Sequence, residues 1–90
     1  MINITARAKQ ALHNLLTDNV DFPQGRLRLM DRGQGKLGLG VDIEMPGDEL
    51  VEYNGSTILV VEQVLAANLE RVTLDVEDGV EGSELVIDYN

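Results

Sequence analysis

The sequence contains no cysteine, no tryptophan and only three aromatic residues, which are Phe22, Tyr53 and Tyr89. Without cysteine there is no disulfide bond, thiolate zinc site, cysteine nucleophile or thiolate ligand for an iron–sulfur cluster. So few aromatic rings leave little from which to build a stacking platform for single-stranded nucleic acid. These absences exclude several chemistries before any motif is considered.

Basic residues are also scarce, since seven lysines and arginines stand against sixteen acids and give a formal charge of −9. Such a charge repels phosphate backbones and anionic lipid, so we expect neither nucleic acid nor a membrane as a partner. The charge is unevenly distributed. Residues 1–36 hold six bases and three acids, whereas the rest of the chain holds thirteen acids and a single base, Arg71. This asymmetry predicts a basic patch on an otherwise acidic molecule.

Long apolar runs are missing as well. No apolar window of about 18 residues could span a bilayer, and the first residues lack the charged and apolar regions of a signal peptide. We therefore expect a cytoplasmic protein. A chain of 90 residues buries only about 60–65 % of its unfolded surface, which fits a single domain over residues 1–90 and excludes a large two-lobed enzyme.

The spacing of apolar residues predicts two helices. The first has Thr5 as its N-cap and runs to about Thr17, before Pro23 and Gly25 turn the chain. Its apolar stripe comprises Ala8, Leu12, Leu15 and Leu16. Residues 62–69 are rich in helix formers and predict the second helix. Its apolar face would comprise Val61, Val64, Leu65 and Leu69.

Alternation of polar and apolar residues predicts strands over most of the remaining chain. Asn54-Gly55 is a strong hairpin signal, and further turns are expected at 46–49 and 78–82. The predicted strands cover residues 26–29, 37–45, 50–53, 56–61, 72–77 and 84–89, with a short extended piece at 2–4. Because helices and strands do not alternate strictly, we predict an α+β, β-rich fold with six or seven short strands and two helices rather than a doubly wound parallel sheet.

A glycine-rich segment, 33–38, matches the G-x-G-x-x-G pattern of dinucleotide-binding loops. That pattern works by opening a helix whose N-terminal amides hold the pyrophosphate. Here the residues that follow alternate with period two, as in a strand. We therefore interpret the segment as a loop leading into a strand, in which Gly38 and Gly40 mark a bulge or a close backbone approach.

The single histidine, His13, lies just off the stripe of the first helix. With no second histidine and no cysteine, a transition-metal site would need carboxylates gathered from distant strands. We expect His13 to be a surface side chain. The sequence also has no G-x-S-x-G motif, so it predicts no apparatus for nucleophilic catalysis.

Carboxylates are dense near the C-terminus, and hard divalent cations prefer such oxygen ligands. The candidate ligands are Asp75, Glu77, Asp78 and Glu81. Their spacing is not that of an EF-hand loop. The other interpretation is a solvated strand edge whose charges prevent pairing between sheets.

Four bases lie close together in the first half of the chain. They are Arg26, Arg28, Arg32 and Lys36. They are either paired internally with acids of neighbouring strands or available to an anion or an acidic partner.

Four stretches of the sequence, taken in their order along the chain, form a further pattern. They are residues 2–8 with a helix ending in Leu15-Leu16, the loop 35–39, the hairpin and helix start 53–62, and the closing segments 74–77 and 82–87. This order resembles the HesB-like family of A-type iron–sulfur cluster carriers over nearly the whole chain. The resemblance implies the family's compact β-sandwich with helices at its margin, and a tendency to self-associate.

This sequence departs from the family pattern at the residues on which cluster binding depends. Family members that carry clusters use one cysteine in the glycine-rich loop and a Cys-x-Cys near the C-terminus. The loop cysteine aligns with Lys36, and no thiolate is present anywhere in the sequence. The resemblance therefore implies the fold but not cluster transfer, and we expect no bound cofactor.

We expect a non-enzymatic HesB-like protein that binds or regulates another protein, which could be acidic, in connection with iron–sulfur cluster biogenesis. Its contact residues would be Arg26, Arg28, Arg32 and Lys36. The alternative is a metal-responsive protein that binds a divalent cation through its C-terminal carboxylates. A small enzyme with a carboxylate pair is the third hypothesis, although no two acids visibly share an apolar pocket.

Overall fold

The computed structural model describes residues 2–34, 36–79 and 82–89, and these residues form seven strands and two helices. The elements are β1 (Asn3–Ile4), α1 (Ala6–Asn19), β2 (Arg26–Asp31), β3 (Leu37–Asp42), β4 (Glu49–Tyr53), β5 (Ser56–Val61), α2 (Gln63–Asn68), β6 (Val72–Gly79) and β7 (Gly82–Tyr89). They form two mixed sheets, with strand orders β1-β6-β7 and β3-β2-β5-β4. The predicted α+β, β-rich fold is confirmed. Of the turn predicted at 78–82, residues 80 and 81 lie outside the described residues.

The first helix begins as the sequence predicts. Thr5 is its N-cap, and the Thr5 hydroxyl accepts a hydrogen bond from the Ala8 amide at 3.2 Å. Ala8 and Leu12 are buried, whereas Leu15 is 41 % exposed and lies at the edge of the packed face. The helix therefore buries a narrower stripe than its sequence suggests.

The second helix is one turn and a half long and follows Glu62, whose carboxylate accepts hydrogen bonds from the amides of Val64 and Leu65 at 3.0 and 3.1 Å. The predicted apolar face is wrong at Val64, which is 65 % exposed, while Ala66 is buried. In so short a helix the cap and the flanking strand set the orientation, so apolar spacing alone misleads. Neither helix has the length and apolar character needed to cross a bilayer within the described chain.

The four-stranded sheet is organised around β2 and β5, which are its central strands and run parallel. Leu27 of β2 lies opposite Leu59 of β5, and Leu29 lies opposite Val61; all four are buried. The hairpin from β4 to β5 turns at Asn54 and Gly55, both with positive φ (52° and 83°). This confirms the predicted hairpin, since a tight hairpin turn needs residues that tolerate this conformation.

Strand β3 ends at Asp42, three residues before the alternation in the sequence ends. The chain leaves the sheet because the amide of Ile43 donates to the Asp42 carboxylate and the amide of Met45 donates to that of Asp48. Hydrogen bonds from backbone amides to side-chain carboxylates thus replace the backbone hydrogen bonds between strands. The alternation of Ile43 and Met45 therefore does not indicate strand, and both side chains are exposed.

One hydrophobic core joins both sheets to α1. Leu12 of the helix packs with Leu29 and Leu59 of the larger sheet and with Val72 and Leu74 of the smaller one. The start of α1 is tied to β6 as well, since the Thr5 hydroxyl donates to the Asp75 carboxylate at 2.7 Å. The sheets are therefore fixed relative to each other, with β3 and β7 as outermost strands.

Candidate functional site

Arg28, at the middle of β2, is engaged in internal ion pairs. Its Nε donates to Asp42 at 2.7 Å, and its Nη2 donates to Asp48 at 2.7 Å and to the carbonyl of Ile43 at 3.0 Å. The side chain is 15 % exposed and that of Asp48 is 4 % exposed. The Asp48 hydrogen bond is the main reason that the pKa of Arg28 is raised, and Arg28 in turn lowers the pKa of Asp48. The interpretation of internal pairing is confirmed at this position.

Arg26, at the start of β2, points its guanidinium toward the turn before the strand. Its Nη1 donates to the carbonyls of Pro23 and Gly25 at 2.9 and 2.8 Å. Its Nε is buried without a hydrogen-bond partner. The side chain lines a cleft that also contains His13. His13, expected at the surface, is partly exposed there and packs against Tyr53, with ring centroids 5.3 Å apart.

Arg32 and Lys36 lie together at the turn between β2 and β3. The Arg32 amide donates to the Lys36 carbonyl at 2.9 Å, and the Lys36 amide donates to the Gly33 carbonyl at 3.0 Å. Asp31 supports the turn by accepting from the Gly33 amide at 2.8 Å. Both cationic side chains are exposed. Arg32 and Lys36 therefore present two positive charges close together.

The side chain of Arg32 lies over β3. A Cβ built on Gly38 would collide with the Arg32 guanidinium, and one built on Gly40 would approach the Met30 sulfur to 2.8 Å. Neither glycine lies at a bulge, since the β2–β3 ladder is continuous. The glycines instead leave room for side chains of β2 to lie across the surface of the sheet. The expectation of a bulge or a close backbone approach is therefore wrong.

An open cleft of about 730 Å³ separates β3 from β7. Lys36 stands at its β3 side and Glu84 at its β7 side, and the side chains between them are half-buried. The apolar lining comprises Leu37, Leu39, Leu85, Val86 and Ile87. Because β3 and β7 are the outermost strands of their sheets, the cleft places two strand edges beside an apolar floor.

The four predicted contact residues do not form one patch. Arg26 is the first residue of β2 and Arg32 follows its last residue, a separation of about 20 Å for a strand of this length. Arg28 between them is neutralised by Asp42 and Asp48. The structure brings together Arg32 and Lys36 only. The β7 side of the cleft has no distinguishing sequence signal, because an alternating strand does not reveal which other strand it faces.

Of the candidate metal ligands near the C-terminus, Asp75 is engaged in contacts inside the fold. Asp75 accepts hydrogen bonds from Nε and Nη2 of Arg7, each at 2.8 Å, from the Thr5 hydroxyl and from the amide of Val76, and these contacts hold its pKa well below the usual range. Glu81 and the Asp78 side chain lie outside the described residues. Within the described part of the chain, no three histidine or carboxylate side chains are grouped as a metal site requires.

Comparison with solved structures finds the same chain path elsewhere. IscA, crystallised with its [2Fe-2S] cluster, is similar with a TM-score of 0.65 at 21 % identity, over 99 % of this chain and 85 % of that one. A protein of Aquifex aeolicus, solved by NMR in solution, gives 0.72 at 19 % identity over 99 % and 91 %. SufA of Escherichia coli, which is involved in biosynthesis of iron–sulfur clusters, gives 0.70 at 16 % identity over 98 % and 84 %. No family model and no curated protein matches the sequence.

The fold is therefore the HesB-like fold of the A-type iron–sulfur carriers, as the sequence resemblance implied. Within that fold this chain is a variant without cysteine. Iron–sulfur clusters are held by thiolates, and an exposed ammonium at Lys36 repels a metal ion instead of binding it. The residues present do not fit such a cluster, so no cluster chemistry can be assigned to them.

Proposed function

We propose that this protein acts by binding another protein, without catalysis, and that the contact is made at the cleft between β3 and β7 together with the turn that carries Arg32 and Lys36. The observation that carries this proposal is the position of Lys36. Lys36 is exposed beside Arg32 at the cleft, and the sequence resemblance aligns it with the loop cysteine of the carriers, so the site would attract a different kind of partner. An acidic segment of a partner is the chemistry that fits it.

The cleft supplies apolar contact and backbone hydrogen bonds, from which affinity can come and which the two charges alone do not provide. An exposed ion pair contributes only about 0.2–1 kcal/mol, so Arg32 and Lys36 would give orientation and speed of association rather than affinity. Half-buried leucines of β3 and the outermost edge of either strand offer apolar contact and backbone hydrogen bonds to an added strand. An extended partner segment with acidic residues beside apolar ones would contact both the two cations and the cleft.

The side chains with clearly shifted pKa values lie away from the cleft between β3 and β7. Arg28, Asp42, Asp48 and Asp75 have clearly shifted pKa values, and each shift arises from ion pairs and hydrogen bonds inside the fold. None of these side chains lines the cleft. Catalytic acids and bases are expected in clefts with perturbed pKa values, so the perturbed groups here serve the structure.

The fold comparison supports a partner connected with iron–sulfur cluster assembly. IscA holds a cluster, and SufA is involved in cluster biosynthesis. A relative in fold that has no thiolate could still recognise proteins that carriers of this shape recognise. A cytoplasmic location and self-association belong to the same proposal, and light scattering after size exclusion tests the second.

Affinity capture with a charge-reversed pair tests the proposal. The double variant Arg32→Glu/Lys36→Glu is compared with Lys9→Glu/Arg71→Glu, which changes the net charge equally at residues that do not line the cleft. The partner captured by the wild type is then purified and titrated by calorimetry. We expect the first variant to bind it roughly tenfold more weakly and the second to bind almost normally. Equal binding by all three proteins would show that the contact lies elsewhere.

A further inference from the structure

An apolar recess with a volume of about 100 Å³ adjoins the cleft between β3 and β7. Helix α1 forms one wall of this recess, and residues of β3, β6 and β7 form the others. The recess and the cleft have Leu39, Glu84 and Leu85 as common lining residues, so the two spaces meet at these side chains. The remaining lining residues of the recess are all apolar and comprise Ala8, Ala11, Leu12, Leu15 and Val76.

The leucines around the recess are packed less completely than those of the core. Leu15 is 41 % exposed, and Leu39 and Leu85 are half-buried, whereas Leu12 beside them is 3 % exposed. Protein interiors are filled to the density of organic crystals and leave few voids of this size. Apolar surface therefore remains accessible in the recess, at a place where an incoming apolar group would cover it.

The size of the recess indicates what could fill it. Its volume of about 100 Å³ is smaller than that of an apolar protein cavity that binds benzene, which is about 150 Å³. One aliphatic side chain of the size of leucine fits such a space, while an aromatic ring is too large. Burial of one such side chain strengthens binding by roughly tenfold or more.

The charges near the recess place the aliphatic group relative to the acidic part of a partner. Lys36 lines the cleft but not the recess, and Leu39 follows it by three residues, which is about 10 Å along a strand. Glu84 lines the recess and repels a carboxylate there. An extended segment that places its acids beside Lys36 therefore brings the residue about three positions further on to the recess.

We propose that the recess holds one aliphatic side chain of the partner, of the size of leucine, about three residues from the acidic residues that Arg32 and Lys36 contact. This inference rests on the proposed function, because it names the side chain that the same contact surface selects. The cations orient the segment, and the recess supplies affinity and discriminates between side chains by size.

A substitution that fills the recess tests whether it can hold a leucine side chain. Ala11 is a half-buried residue of α1 that lines the recess, and Ala67 is an exposed residue of α2 that does not. Both alanines lie in helices, where leucine is also favourable. We expect Ala11→Leu to raise the melting temperature because it fills an apolar cavity, and Ala67→Leu to leave it almost unchanged. A melting temperature of Ala11→Leu at or below that of the wild type would overturn the inference.

Short capped peptides test the binding itself in calorimetric titrations of the intact protein. The reference peptide has a pair of aspartates and a leucine about three residues away, and it is made in both sequence directions. A second peptide has alanine in place of the leucine, and a third has asparagines in place of the aspartates. We expect the wild type and Ala67→Leu to bind the alanine peptide roughly tenfold more weakly than the reference. Ala11→Leu should bind the reference and alanine peptides equally.

The set of peptides separates failure of this inference from failure of the proposed function. Equal affinity of the wild type for the leucine and alanine peptides overturns the inference, and weaker binding of the asparagine peptide would then still support the acidic contact. Sensitivity to leucine without sensitivity to the aspartates supports the recess and contradicts the contact with Arg32 and Lys36. If the reference peptide shows no saturable binding in either direction, the inference is wrong, and capture with Arg32→Glu/Lys36→Glu still tests the proposed function.

Discussion

Arg28 is the residue on which the order of the segment 43–48 depends most directly. Its guanidinium joins β2 to the end of β3 through Asp42 and to the following loop through Asp48. Asp48 is almost fully buried, so removal of Arg28 would leave its charge without a counterion in a poorly solvated place. We expect Arg28→Gln to lower the free energy of unfolding by about 3 kcal/mol.

Urea denaturation followed by circular dichroism measures this loss. Arg71→Gln, which removes an exposed arginine, serves as the control and should change the free energy of unfolding by less than about 0.5 kcal/mol. Equal stability of the two variants would mean that the Arg28 pairs are not structural.

Asp75 makes the stability of the fold depend on pH in the acid range. Its pKa in the folded state is lowered, first by Arg7 and then by Thr5 and the Val76 amide, from an ordinary value of 3.8. A carboxylate of this kind stabilises the fold above its unfolded pKa, and that stabilisation is lost as pH falls toward the folded pKa. We expect the urea midpoint to fall as the pH decreases below about 5. Asp42 and Asp48, whose pKa values are also lowered, act in the same direction.

The variant Arg7→Gln isolates the Asp75 contribution. It should be less stable than the wild type at neutral pH, and the difference should shrink in acid, where Asp75 is protonated in both proteins. Lys9→Gln, two residues along α1 from Arg7, should show a constant difference at every pH. A difference for Arg7→Gln that does not change with pH would contradict the assignment.

Among the elements, β3 carries two glycines beneath side chains of β2. A Cβ at Gly38 collides with the flexible end of Arg32, and one at Gly40 collides with Met30. Each side chain can move aside, so we expect Gly38→Ala and Gly40→Ala to change the free energy of unfolding by less than about 1 kcal/mol each. Of the two substitutions, only Gly38→Ala displaces Arg32, which belongs to the proposed contact surface. It should weaken binding of the captured partner in calorimetry, whereas Gly40→Ala should not; equal affinities would exclude Arg32 from the contact.

Local signals in the sequence predict some elements and not others. Asn54 and Gly55 are correctly predicted because their positive φ angles are a local requirement of the turn. The end of β3 is not predicted, because it depends on Asp48, which binds both Arg28 and the Met45 amide from outside the strand. Val64 illustrates the same limit, since the face that a short helix buries is decided by the cap and the core rather than by its own spacing.

For the whole molecule, the sequence predicts the fold class through its order of motifs, and the structure supplies the arrangement of the candidate site. Arg26, Arg32 and Lys36 are near one another in sequence, yet the length of β2 places Arg26 away from the other two. Glu84 is distant in sequence and lines the same cleft as Lys36. The approach of two edge strands from different sheets, which forms the cleft, is a tertiary property and has no local signal.

The central claim concerns the whole molecule as well: a HesB-like fold is retained here without the ligands that hold a cluster. Its core, its mixed sheets and its likeness to IscA and SufA do not depend on thiolates. Stability in this chain comes from burial of apolar side chains on both sheets and from α1. The fold can therefore form without cluster ligands, which the proposed binding role requires.

Anaerobic reconstitution tests this claim most directly. The purified protein is incubated with ferrous iron, sulfide and a thiol reductant, then desalted, and bound iron, acid-labile sulfide and the visible absorption spectrum are measured. IscA, which has been crystallised with a [2Fe-2S] cluster, is the positive control. The account predicts that this protein emerges colourless with no stoichiometric iron or sulfide, while IscA retains its cluster. A stable coloured centre with iron and sulfide in fixed ratio to the chain would contradict it.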